Sequence, residues 1–298
     1  GHCAPRVRGH CAPRVRGHLF LPNTRWTVDN GAMAATMVDL LARGTDSLRY
    51  HPTAKRIRAR LGGEPVVDTC AAVLVWEPRR VVPTYAVPRA ALTAQLVPAG
   101  AELGDDEIPG FLDPSVPFTA HTCAGNSFDV IAGEETGAAA AYQPDDEDLA
   151  DYVILDFATF EWREEDEPIV SHPRDPFRRI DILRSRRHVR IELEGRLLAE
   201  SSRPLLLFET LLPTRYYLPR EDVTTALDLS PTISYCAYKG RATYYSLPTG
   251  PGNVAWTYHE PLRDAEPVAD RICFFDAHVD VIVDGQRQPR PVTEWSNP

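Results

Sequence analysis

Cys236-Ala-Tyr238-Lys239-Gly240 places a thiol three residues before an ammonium, with a glycine directly behind it. A cation beside a cysteine favours the thiolate, so Cys236 is a candidate nucleophile, and Lys239 itself is a candidate to attack a carbonyl. Gly240 would let a ligand approach the main chain closely. Against covalent chemistry, a lone buried cysteine more often serves packing, and no histidine nearby in the sequence stands out as its base. Glu209 closes the apolar run Leu205 to Phe208, and an acid at the end of a buried strand needs a partner such as Arg215 or Lys239, because an unpaired carboxylate in a core is costly. Arg215, Tyr216 and Tyr217 add a guanidinium and two phenols that can stack on, or hydrogen-bond, a flat polar ligand.

Three classes of function follow from these residues. In the leading one, Glu209, Arg215, Tyr217, Cys236, Tyr238, Lys239, Gly240 and Trp256 form a pocket for a small polar or aromatic ligand. In the second, an enzyme uses Cys236 or Lys239 as nucleophile. In the third, the same groups are an ion pair under a Tyr-rich sheet, and the protein is a structural or interaction module without a ligand.

Other chemistry is weaker. Asp276-Ala-His278-Val-Asp280 would place three metal-ligand types on one face of a strand. Its counterpart Phe157-Ala-Thr159-Phe-Glu161 keeps only one carboxylate, so a polar strand edge without metal is preferred. His259-Glu260 precedes Pro261 and reads as a strand-end turn. His172 lies in the stiff His172-Pro-Arg-Asp-Pro176 run, where two prolines fix φ. No cofactor is expected, since neither a phosphate-cradling GxxxxGK[ST] loop nor a GxGxxG turn occurs.

The elements that must hold these residues come in two copies. Arg187 to Val223 repeats Arg56 to Leu92, matching Gly195 with Gly63, Glu209 with Glu77, Pro213-Thr214 with Pro83-Thr84, and Pro219-Arg220 with Pro88-Arg89. Val189, Ile191 and Leu193 alternate with polar residues, as do Ile57, Ala59 and Leu61, the period of a half-buried strand. Glu194-Gly195, Gly62-Gly63 and Asp284-Gly285 read as hairpin turns. Leu149 to Trp162 matches Val268 to Val281; each is an apolar run broken by a polar turn and predicts a pair of strands bonded to each other.

The copies differ where the chemistry lies. The first reads Cys123-Ala-Gly-Asn-Ser127 and lacks the Lys-Gly pair, so it is expected to be a degenerate copy without a site. It is also longer: the offset between the copies falls from 131 at Arg89 to 113 at Cys123. The extra residues fall in the acidic, Pro- and Gly-punctuated 98–122 stretch, read as a solvated surface loop, with a lid over a pocket as the other reading.

The predicted organisation is therefore a disordered leader and short helix over 1–50, a first β module over 51–162, a Pro-containing linker over 163–186, and a second β module with its tail over 187–298. The helix is expected over Asn30 to Arg43, with Met33, Met37, Leu40 and Leu41 on one face packed on the first module. The leader is a tandem GHCAPRVR octapeptide whose His-Cys pairs could hold a soft metal; a disordered segment is preferred.

At 298 residues the chain has length for about two domains at roughly 150 residues each. A net charge of -10 argues against non-specific nucleic-acid binding. The lack of an 18-residue apolar run, and of an apolar core near the N-terminus, argues against a membrane partner and a secretory signal. Six cysteines form no CxxC pair, which favours reduced thiols and a cytoplasmic location over a Cys70–Cys123 or Cys236–Cys273 bridge.

The motifs FETLLPTRYYLPREDV, YCAYKGRATYYS and VAWTYHEP, in that order, resemble the bacterial domain of unknown function 427 family. The HPRDPF segment and the RSRRHVRI restart resemble its tandem two-copy actinobacterial members, and the likeness covers roughly residues 50 to 295. The resemblance implies a mainly β fold of two tandem β-tent-like modules and no assigned activity. Related proteins have carried a nucleotidyltransferase-like label, but the Gly-Ser followed by an Asp-x-Asp metal pair that it requires is absent here.

Overall fold

The computed structural model describes residues 37–99 and 110–290, so the leader, half of the expected helix and the last eight residues lie outside it. The chain divides between Ile169 and Val170 into two compact units. Among the described residues the first unit contains helix α1 (Met37–Arg43) and strands β1 (Arg49–Pro52), β2 (Ile57–Leu61), β3 (Glu64–Thr69), β4 (Val73–Trp76), β5 (Thr84–Pro88) and β6 (Gln95–Pro98). It continues with β7 (Gly125–Ala132), β8 (Glu135–Pro144), β9 (Tyr152–Leu155), β10 (Glu161–Glu164) and β11 (Glu167–Pro168). The second unit contains β12 (Ile180–Arg184), β13 (Val189–Leu193), β14 (Arg196–Ser201), β15 (Leu205–Glu209), β16 (Arg215–Leu218) and β17 (Asp228–Cys236). It ends with β18 (Gly240–Ser246), β19 (Ala255–Thr257), β20 (Ile272–Phe274), β21 (Asp280–Val283) and β22 (Gln286–Arg287).

Each unit holds a seven-stranded and a four-stranded antiparallel sheet. The first unit runs β1-β4-β5-β9-β8-β7-β6 and β11-β10-β2-β3; the second runs β12-β15-β16-β20-β19-β18-β17 and β22-β21-β13-β14. Position by position the two orders are the same. Even the irregularities coincide: the β2–β3 register shifts at Ala59/Arg60 and the β13–β14 register at Ile191/Glu192. Gly63 and Gly195 have φ of 87° and 78° in the two-residue turns closing these hairpins, a conformation that glycine adopts at little cost.

Alternation sorts each large sheet into two faces. One face meets the small sheet: Tyr85, Val87 and Leu155 cluster with Ile57, Ala59 and Trp162 in the first unit. In the second, Leu218, Ala255 and Phe274 cluster with Val189, Ile191 and Val281. Full burial of such side chains contributes roughly 1.5–3 kcal/mol each. The opposite face carries a second apolar cluster: Val73, Val75, Ala86, Tyr142 and Ile154 in the first unit, and Leu205, Leu207, Tyr217, Trp256, Tyr258 and Cys273 in the second. The candidate site residues lie on this second face and at its rim.

Four expectations need correction. The strands in Leu149 to Trp162 exist but do not pair with each other: β9 bonds β5 and β8 in the large sheet, while β10 bonds β2 and β11 in the small one. The polar turn at Asp156 carries the chain from one sheet to the other, and β20 and β21 repeat the arrangement. Helix α1 does not bury its apolar side chains, since Met37, Leu40 and Leu41 are 66%, 47% and 44% exposed.

The stretch read as a solvated insertion is folded inward in its described part, 110–122. Leu112 is fully buried, and the Arg80 guanidinium donates to the carbonyls of Pro117, Phe118 and Ala120 at 3.3, 3.0 and 2.9 Å. Three carbonyls on one buried cation give the loop a fixed seat. Finally, the stretch read as a linker is built into the sheets, with β10 and β11 at one end and β12 at the other. No helix among the described residues is long and apolar enough to cross a membrane.

Candidate functional site

In the second unit the chain brings Glu209, Cys236 and Lys239 together at the rim of the large sheet. Glu209 is the last residue of β15, Cys236 the last of β17, and Lys239 stands in the turn between β17 and β18. The Lys239 Nζ lies 2.5 Å from Glu209 Oε2, with side-chain exposures of 11% and 15%. Of the two partners expected for Glu209, Lys239 is the one it takes. Burial works to lower the Lys239 pKa, but the neighbouring Cys236 side chain and the Glu209 carboxylate push it up on balance. An amine held as an ammonium cannot attack a carbonyl, so here Lys239 acts as a cation. Cys236 is a free thiol and only partly buried.

Arg215 is engaged elsewhere. It forms a short ion pair with Asp276 and lies 5.7 Å over the Trp256 ring. Trp256 in turn donates its Nε1–H to the Tyr217 hydroxyl at 3.2 Å. Tyr217 is fully buried, and burial holds its phenol well above its usual pKa. Tyr217 and Trp256 are thus part of the buried cluster of this face, rather than surfaces offered to solvent.

Tyr238 points the other way. Its hydroxyl accepts from the Asp175 amide at 2.9 Å and donates to the Asp175 carbonyl at 3.4 Å. This phenol fastens the His172–Pro176 segment to the turn that presents Lys239. Gly240 has φ of 90°, and a Cβ there would stand 3.3 Å from the Leu262 Cγ and backbone nitrogen. Its absence of a side chain therefore admits Leu262 and a left-handed backbone, not a ligand.

The HPRDP segment belongs to the site's surroundings, a role its charge-rich text concealed. The Arg174 Nε donates to the Ala237 carbonyl at 2.9 Å, and its Nη1 pairs with Asp264 at 2.7 Å. His172 meets the Tyr238 ring edge-on at 6.1 Å and shares its Nδ1 proton with the Pro173 carbonyl at 2.7 Å. Burial lowers the His172 pKa, so the ring is neutral near pH 7 with Nε2 as a lone-pair acceptor. A proline-flanked histidine was legible in the sequence; its position against the Tyr238 ring depends on a fold-back that no spacing announces.

The run Asp276 to Asp280, read as a polar strand edge, is a turn up to the start of β21. Residues 275–279 form a turn, with the His278 and Val279 amides both donating to the Phe275 carbonyl. Asp276 serves Arg215, and Asp280 serves Arg287 and Arg290 at 2.9 and 3.4 Å. His259 pairs with Asp270 at 2.7 Å on an exposed turn.

The first unit, expected to have no site, carries a polar cluster at the same place. Glu77 follows β4 as Glu209 ends β15, and it is fully buried. Its carboxylate takes the Thr122 amide at 3.1 Å, Arg80 Nε at 3.3 Å and His121 Nδ1 at 3.2 Å. Burial alone would raise the Glu77 pKa; the hydrogen bond from His121, with Arg80 and Thr122, brings it below the usual value. His121 stacks on Tyr142 with centroids 3.5 Å apart, and its Nε2 is buried without a hydrogen-bond partner among the described residues. Burial and the neighbouring Glu77 charge push the Cys123 thiol up to about 12. His121-Thr122, next to the repeated cysteine, was the available signal for this cluster.

Cys123, Cys236 and Cys273 are free thiols. No curated protein matches the chain. Residues 181–285, which include Glu209 and Lys239, match the model of the family described as a domain of unknown function (DUF427).

Proposed function

We propose that the second unit binds a small polar ligand at the Glu209–Lys239–Cys236 cluster, with His172 at its margin. The observation that carries this reading is one nearly buried ammonium paired with a carboxylate at a strand end, with a partly buried thiol three residues before it. A buried ion pair seldom stabilises a fold better than apolar side chains of similar size, and perturbed titratable groups gather at functional sites. Lys239 offers a fixed cation, and Cys236 is only partly buried. We read both units as β-tent-like modules of one duplicated ancestor and place the protein in the cytoplasm, where its free thiols would persist.

Native mass spectrometry of the full chain against a metabolite library tests the proposal. Hits should weaken in Lys239→Met and Glu209→Gln and persist in Arg241→Gln, which changes an exposed residue. If every hit binds Lys239→Met as it binds wild type, the site is elsewhere. A second reading is covalent chemistry at Cys236, a thiol that lies in the same turn region as Lys239 and is only partly buried. Its signature would be a mass adduct on Cys236 that survives denaturation and is lost in Cys236→Ser.

A further inference from the structure

The second unit has another feature, separate from Lys239, that runs against the acidic character of the chain. Arg184 ends β12, Ser185 and Arg186 follow it, Ser202, Arg203, Pro204 and Leu205 form the β14–β15 turn and the start of β15, and Arg271 precedes β20. These residues line an open groove of about 750 Å³. The Ser185 amide donates to the Pro204 carbonyl at 3.1 Å and Arg271 Nη1 reaches the Arg203 carbonyl at 3.5 Å, which fixes the three segments against one another.

Four guanidiniums thus share one groove in a chain of net charge -10. Arg203 is held by Glu221 at 2.9 Å and Asp222 at 3.0 Å. Arg184 and Arg186 are exposed, and neither forms an ion pair among the described residues. Burial lowers the Arg271 pKa, and Arg203 and Arg184 lower it further against the opposing pull of Glu221 and Asp222. The cations are therefore close enough to repel, and an anion between them would relieve that repulsion. The Ser185 hydroxyl accepts from the Arg187 amide at 3.1 Å, leaving its own proton to donate into the groove. Guanidinium forks match the paired oxygens of phosphoryl groups bidentately, and the groove is larger than one phosphate requires.

We propose that the groove between Arg184, Arg186, Arg203 and Arg271 binds a small molecule carrying two linked phosphoryl groups. Isothermal titration of the full chain with inorganic pyrophosphate tests this, with orthophosphate and citrate as the other arms. Pyrophosphate should bind more tightly than either, and Arg184→Gln/Arg186→Gln should weaken it by at least about tenfold, as expected for losing charge-assisted hydrogen bonds. Both substituted residues are exposed, so the variant keeps its fold. Arg196→Gln/Arg241→Gln, which removes the same charge from exposed positions away from the groove, should bind as wild type does. Equal weakening in the two double variants would reduce the effect to net charge and overturn the site. Citrate binding as tightly as pyrophosphate would overturn the ligand class, and no pyrophosphate binding would overturn both.

Discussion

Glu77 and Glu209 occupy the same position in two sheets of the same strand order, yet they are neutralised differently. Glu77 is sealed under the 110–122 loop and held by Arg80, His121 and an amide. Glu209 has one ammonium from a three-residue turn, with a half-open thiol beside it. In the second unit β17 continues to Cys236 and a tight hairpin delivers Lys239; in the first, the extra loop takes the place of that hairpin and brings His121 instead. The fold demands a polar group at this rim, and the local connection decides whether it is closed scaffold or accessible cluster.

Breaking the closed cluster should have the largest effect. Glu77→Ala strands Arg80 and His121 in the core, at a cost of about 3–5 kcal/mol, read as lost hydrogen-exchange protection confined to the first unit. Protection loss spread equally over both units would contradict a cluster local to one. Lys239→Met should cost less, roughly 2–4 kcal/mol, because Glu209 keeps some contact with water. Adding Glu209→Leu should recover part of that loss, measured by urea unfolding; strict additivity of the two would deny their coupling.

Gly240→Ala comes next, at roughly 1–3 kcal/mol, since it forces a side chain into a left-handed backbone against Leu262. A neutral outcome would mean that the hairpin tolerates another conformation.

The two clusters should also respond to opposite ends of the pH scale. The folded pKa of Glu77 is depressed, so its contribution is present above the usual 4.5 and is lost as pH falls through the folded value. The folded pKa of Lys239 is raised, so its contribution is full below the usual 10.5 and is lost as pH rises through the folded value. Acid should loosen the first unit first, and alkali the second. Glu77→Gln should flatten the acid limb and Lys239→Met the alkaline one, followed by unit-resolved exchange.

Much of the scaffold was legible in the sequence because strand alternation and turn glycines are local. Ile57 to Leu61, Thr84 to Pro88 and the Glu194-Gly195 and Asp284-Gly285 turns lie where the pattern puts them. The pairing of β9 and β10 was not legible, since two apolar runs around a turn look alike whether the chain stays in a sheet or changes sheets. Lys239 as partner of Glu209 was one of two readings left open by charge alone. His121 escaped, and His172 was named without its neighbours, because each reaches its place through a loop, and loop paths carry no period to read.

In the second unit the carboxylate at this rim is slightly exposed and paired with one ammonium, whereas its counterpart Glu77 is fully buried, so the thiols beside them should differ in reactivity. Site-resolved alkylation of the folded chain at neutral pH compares Cys236 and Cys123 in one experiment. Cys236 should label about tenfold faster or more, because burial and the Glu77 charge push the Cys123 thiol up to about 12, which leaves little thiolate there to react. Equal rates, or faster labelling of Cys123, would contradict this difference.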